Sequence, residues 1–105
     1  MTISQLIERI RTITESHDVS SYPGLLAIQI NITGENQGVF YVEIKNGVLS
    51  IEPYEYNDRD AAITLSMDTF VKLLDKKLDP VLAFTLGKLK IEGNVGKVLE
   101  LVKML

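Results

Sequence analysis

The chain has no cysteine and no tryptophan, and its single histidine is His17. Without cysteine there is no disulfide scaffold, no thiolate zinc site and no cysteine nucleophile. Basic residues are in the minority, eleven Lys and Arg against fourteen Asp and Glu, for a formal charge of −3. A nucleic-acid partner needs a basic patch to meet its phosphate backbone, so the acidic balance argues against one. No apolar run approaches the ~18 residues of a membrane span. The start, Met1-Thr2-Ile3-Ser4-Gln5, also lacks the basic region and apolar stretch of a signal peptide. A soluble protein in the cytoplasm is therefore the expectation. What the chain has in quantity is aliphatic side chain: fourteen Leu, eleven Ile and nine Val dominate a hydrophobic content of 46%. In 105 residues that is material for one domain, spanning residues 1–105, with one core of its own.

The spacing of those residues predicts the elements. Ile3, Leu6, Ile7, Ile10 and Ile13 recur at helical spacing behind Thr2 and Gln5, which stand at capping-box distance. After a polar stretch from Ser16 to Gly24 the period switches to two. Leu26, Ile28, Ile30 and Ile32 alternate with Ala27, Gln29, Asn31 and Thr33, a strand with one buried and one wetter face. Phe40, Val42 and Ile44 form a second strand, and Asn46-Gly47 is a strong hairpin signal leading into a third, Val48 to Glu52. An acidic loop precedes a fourth strand, Ala61 to Leu65. Ser66 then caps a helix whose stripe is Met67, Phe70, Val71, Leu73, Leu74 and Leu78. Asp79-Pro80 opens a very short helix closed by Gly87. Lys88 to Glu92 reads as a fifth strand, and a last helix runs from about Val95 to the end. This order predicts an α+β fold, a sheet with helices over one face.

The last three helices carry more apolar surface than a sheet-covering face requires. Val95, Val98, Leu99, Leu101, Val102 and Leu105 span about 160° of the last helix, against roughly 100° for an ordinary stripe. The stripe from Met67 to Leu78 is about as wide, and Pro80 to Leu86 is apolar nearly all round. The surplus has three outlets: packing of the helices on each other, burial in a homodimer, or the lining of a cavity for an apolar ligand. Periodicity alone does not choose between them.

Catalytic constellations are scarce. His17 sits in a polar loop beside Asp18, and none of the six serines lies in a G-x-S-x-G elbow. The acidic loop of Glu52, Glu55, Asp58 and Asp60 lacks the frame and central glycine of a calcium loop. Gly93-Asn94-Val95-Gly96-Lys97 leads a strand into a helix, but it has neither the Walker spacing nor a basic setting. It reads as a helix entry whose amides offer at most a weak site for an anionic head group.

The second half carries a more specific pattern. Asp60-Ala61-Ala62-Ile63-Thr64-Leu65-Ser66, Phe70, Leu73-Leu74, Leu78-Asp79-Pro80, Ala83-Phe84 and above all Gly87-Lys88-Leu89-Lys90-Ile91-Glu92-Gly93-Asn94 resemble the sterol carrier protein type-two family. Gly96 and Leu101 fit as well, and Gly38 to Ile44 with the Asn46-Gly47 hairpin extend the resemblance into the first half. The resemblance implies a five-stranded, mostly antiparallel sheet with helices over one face, enclosing an apolar tunnel. It implies non-enzymatic binding and transfer, or presentation, of an apolar lipid such as a fatty acid, fatty acyl-CoA or sterol. Neither a cofactor nor a metal is called for, and membrane contact is transient. Carried onto this chain, the tunnel walls fall to Phe70, Leu73, Leu74, Val81, Phe84, Leu86, Val98, Leu99 and Val102. Val98 and Leu99 stand where the family commonly has Ala and Met, a departure that narrows or reshapes the tunnel and weighs against sterol. The alternative reading is an accessory module that uses the surplus apolar face to dimerise or to dock on a lipid-active enzyme. An empty apolar tunnel of ~300 Å³ would cost on the order of 7 kcal/mol, so the expectation is a tunnel that is filled, collapsed or sealed.

Overall fold

The computed structural model describes residues 1–105. In chain order the elements are α1 (Ile3–Glu15), β1 (Leu25–Thr33), β2 (Gly38–Lys45), β3 (Val48–Glu52), β4 (Ala61–Ser66), α2 (Met67–Leu74), α3 (Pro80–Thr85), β5 (Lys90–Gly93) and α4 (Val95–Lys103). The five strands form one sheet in the order β3-β2-β1-β4-β5. Every neighbouring pair is antiparallel except β1 with β4, so the sheet is mixed but mostly antiparallel. The Asn46-Gly47 hairpin forms with positive φ at both residues, 53° and 75°.

The helix starts follow the sequence signals. Thr2 and Gln5 complete a capping box on α1. The side chains of Ser66, Asp79 and Asn94 accept the backbone N–H of Thr69, Leu82 and Lys97, at 3.1, 2.9 and 3.1 Å. Each satisfies one orphan donor of a helix N-terminus.

Alternate residues of β1, together with Phe40, Val42, Ile44, Ile51, Ile63 and Leu65, make the buried face of the sheet. All four helices contribute to the same core cluster: Leu6, Ile7 and Ile10 from α1, Phe70 and Leu74 from α2, Ala83 from α3, Val98 and Leu101 from α4. The helices therefore lie over one face, as expected.

Three features differ from the sequence reading, one in burial and two in element boundaries. First, the other face of β1 is not wet at its centre, since Ala27 and Gln29 are buried. The loop of residues 53–60 must carry the chain from β3 past β2 and β1 to a strand parallel with β1. On the way its Tyr56 amide donates to Gln29 Oε1 at 3.0 Å, its ring meets Tyr41 edge-on at 5.1 Å, and its hydroxyl donates to Glu43 at 2.7 Å. Second, α2 ends at Leu74 and Leu78 lies outside it. Lys76 takes φ +61°, and the N–H groups of Lys77 and Lys76 return to the carbonyls of Lys72 and Leu73, which is a Schellman closure. Third, β5 begins at Lys90 rather than Lys88. The N–H groups of Lys88 and Leu89 both go to the Ala83 carbonyl, so these residues close α3 instead of joining the ladder.

Candidate functional site

α3 spends little of its apolar surface on the core. It buries only Ala83, while Val81 is 61% and Phe84 49% exposed. α4 buries Val98 and Leu101 and leaves Val95 and Leu99 exposed. Between these helices and the sheet lie two adjoining apolar hollows.

The narrower, of about 60 Å³, sits among β4, α2 and the C-terminal half of α4, lined by Ile63, Phe70, Leu73, Leu74, Leu78, Pro80, Leu89, Leu101, Val102 and Leu105. Its one charged lining residue is Lys76, whose ammonium donates to the Leu105 carbonyl. The wider, of about 190 Å³, opens between α3, β5 and α4 and is lined by Val81, Phe84, Ile91, Val95, Val98 and Leu99 with Pro80, Leu89 and Val102. Those last three residues belong to both walls. Larger depressions of about 430 and 380 Å³ near Ser66 and Asp68 are open and of mixed polarity. Enclosure by apolar side chains sets the two hollows apart from them.

Of the residues the sequence singled out, Phe70, Leu73, Leu74 and Val102 come together in the narrow hollow, and Val81, Phe84, Val98, Leu99 and Val102 in the wide one. Leu86 lines neither; it stands exposed at the C-cap of α3. The wall expected from the sequence omitted Ile63, Lys76, Leu78, Pro80, Leu89, Leu101 and Leu105 of the narrow hollow and Ile91 and Val95 of the wide one. The strand alternation of Leu89 and Ile91 held a signal, because the helix-side residues of the edge strand must face whatever space the helices leave.

The position of α4 is set at its first turn. Lys97 donates to the Leu25 carbonyl and pairs with Asp60 at 3.3 Å, and Asp60 also accepts the Ala27 N–H at 2.8 Å. The Asn94 N–H donates to the Asp60 carbonyl at 2.9 Å. Further along, Tyr22 donates to Glu100. Burial, and then this hydrogen bond, push the Tyr22 hydroxyl up to about 12. With its first turn pinned to the sheet, the helix carries Leu101 and Val102 into the hollow walls.

The one ionisable side chain lining either hollow is Lys76, whose ammonium is engaged by the Leu105 carbonyl. His17 is exposed in its loop, and no three His, Cys, Asp or Glu side chains gather as a metal site. The tyrosines with raised pKa lie elsewhere: Tyr56, pushed to about 12 chiefly by its hydrogen bond to Glu43, and Tyr41, raised mainly by burial. What the arrangement can do is remove apolar surface from water. No helix is long and apolar enough to cross a membrane.

Comparison with known proteins places this geometry. The model of the SCP-2 sterol transfer family matches residues 5–105. Hydroxysteroid dehydrogenase-like protein 2 of Danio rerio is 35% identical over 105 residues, covering 98% of this chain but 25% of its own length. The chain thus spans about a quarter of that relative. Among solved structures, sterol carrier protein 2 like 2 of Aedes aegypti superposes with a TM-score of 0.76 at 19% identity, covering 98% of this chain and 95% of that one. A solution structure described as palmitated SCP2L2 from the same organism gives 0.73 at 20% identity, covering 98% and 93%. The structural likenesses carry the fold.

Proposed function

The chain belongs to the SCP-2 sterol transfer family, and from that membership we propose that it binds an apolar lipid between α3, α4 and the sheet and transfers or presents it without covalent chemistry. The observation that carries this reading is the pair of apolar hollows joined at Pro80, Leu89 and Val102, lined by helix residues whose apolar surface the core leaves unused. The proposed wall is Phe70, Leu73, Leu74, Val81, Phe84, Val98, Leu99 and Val102, and Leu86 stands outside it. The ligand proposed is a single acyl chain. Two narrow hollows meeting at a partition suit a slender, bendable chain better than a rigid fused-ring sterol, and the palmitated relative supports that choice.

Native mass spectrometry and solvent extraction of the purified protein test this directly, with thermal melts in the presence of palmitate, palmitoyl-CoA and cholesterol. A ligand held a hundredfold above its Kd stabilises by about 2.7 kcal/mol, which raises Tm by roughly 10 °C or more for a domain of this size. No co-purifying lipid and no shift with any of the three would overturn the carrier reading.

A second reading rests on the 25% coverage of the Danio rerio relative: the same fold serves there as one part of a longer chain. In that role the lipid is presented to a partner enzyme. A stable complex with a dehydrogenase, surviving without lipid, would favour it.

A further inference from the structure

Six of the nine large apolar side chains that the fold leaves exposed surround one place. Val81, Leu82 and Phe84 lie on α3, Leu86 at its C-cap, and Val95 and Leu99 across the mouth of the wide hollow. The charge around them is unlike the rest of the molecule. Residues 76–90 hold four lysines, Lys76, Lys77, Lys88 and Lys90, against the single Asp79, a net +3 in a chain of net −3. The other ninety residues therefore carry −6. All four lysines are exposed. Lys77, Lys88 and Lys90 take part in none of the ion pairs, and Asp79 is occupied with capping α3. An apolar ridge flanked by unpaired lysines on an otherwise acidic protein has the complementarity of an anionic lipid surface.

We propose that α3 and its flanking lysines form a membrane-docking face. Val81, Leu82, Phe84 and Leu86 enter the boundary between head groups and acyl chains, and the lysines meet lipid phosphates. In that pose the mouth of the wide hollow faces the acyl region, so cargo passes between bilayer and protein without crossing water. A second copy of the chain suits the surface less well. A two-fold interface sets a patch against itself, which would press two lysine-rich rims together.

Docking is separable from cargo binding, so the two readings fail separately. Vesicle flotation of the intact chain compares phosphatidylcholine alone with phosphatidylcholine containing phosphatidylglycerol. The expected result is binding to the anionic vesicles that high salt reverses. Replacing Lys77→Gln together with Lys88→Gln should weaken that binding about twenty-five-fold, at roughly fivefold per lysine. Leu86→Ser, which touches neither hollow, should weaken it about tenfold. All three positions are exposed, so Tm should stay within a few degrees and loss of binding cannot be ascribed to unfolding. No binding to anionic vesicles, or binding indifferent to both variants, overturns the proposal. A dimer that Leu86→Ser dissolves, with no vesicle binding by the parent protein, assigns the face to self-association and overturns it as well.

Discussion

Leu89, at the approach to β5, and Val102, on α4, stand in the walls of both apolar hollows, so they form the partition between them together with Pro80. A smaller side chain at either position should merge the two spaces. Val102→Ala is the gentler probe, because Val102 is only partly buried and its loss should cost about 1 kcal/mol. Leu89 is 3% exposed, and Leu89→Ala should cost about 2–5 kcal/mol. The expected outcome for Val102→Ala is a shift of preference toward longer acyl chains, read from a displacement series of fatty acids of graded length. An unchanged series would mean that ligand does not pass the partition.

Phe84→Trp tests the outer hollow. Phe84 is half-exposed at its rim, so the larger ring meets little of the overpacking cost of a core site, and stability should stay within about 0.5 kcal/mol. The chain has no other tryptophan, which makes the substitution a reporter as well as a block. Acyl ligand entering the wide hollow should shift its emission to shorter wavelength while weakening in affinity. A folded variant with unchanged emission and affinity would remove Phe84 from the wall.

The contrast between the ends of α2 and α3 shows what the sequence made legible. Both helices close with a Schellman pattern. In α3 the left-handed residue is Gly87, as convention expects, and the end is readable. In α2 it is Lys76, with no glycine or asparagine to mark it, so the apolar stripe reads on to Leu78. That Leu78 still lines the narrow hollow is a tertiary fact, set by where the 75–79 turn returns the chain. The strand order β3-β2-β1-β4-β5 likewise depends on which face loop 53–60 crosses, and local periodicity carries no record of that. The wide helical stripes showed that apolar surface was in surplus, but it was the family resemblance that named helix-borne residues as wall, because a stripe alone does not say whether it meets a helix, a second copy or a cavity. Pro80 was not among them, because its fitness for the first turn of a helix already accounted for it.

Alkaline titration should expose the tyrosine contacts. Tyr56 and Tyr22 each have a folded pKa near 12 against 10 for the ordinary group, so the folded state holds the phenolic proton more tightly. Their contribution to stability is complete below about pH 10 and falls away as pH rises through about 12. Tyr56→Phe should cost about 1–2 kcal/mol at neutral pH through the lost bond to Glu43. It should also make the decline of stability between pH 10 and 12 shallower. Denaturant melts across that range check both, and an identical slope in the variant would show that the Tyr56–Glu43 bond contributes nothing to the alkaline loss.

The Gly93-Asn94 pair of the family-like motif has a physical reason that a paired substitution can isolate. Gly93 has φ +94°, and a Cβ there would stand 2.5 Å from the Asp60 carbonyl oxygen, the same oxygen that accepts the Asn94 N–H. Gly87 also has a left-handed φ, +76°, but open space where a Cβ would go. Gly87→Ala should therefore cost only the backbone penalty of about 1–2 kcal/mol. Gly93→Ala adds a clash with backbone that cannot move without disturbing Asp60, and with it the Ala27 and Lys97 contacts that pin α4. It should lose at least about 1 kcal/mol more than Gly87→Ala. Because α4 forms one wall of both hollows, Gly93→Ala should also weaken acyl-chain binding, whereas Gly87→Ala should leave it within about twofold. Equal losses of stability in the two variants would mean that the Asp60 contact has no role beyond the turn.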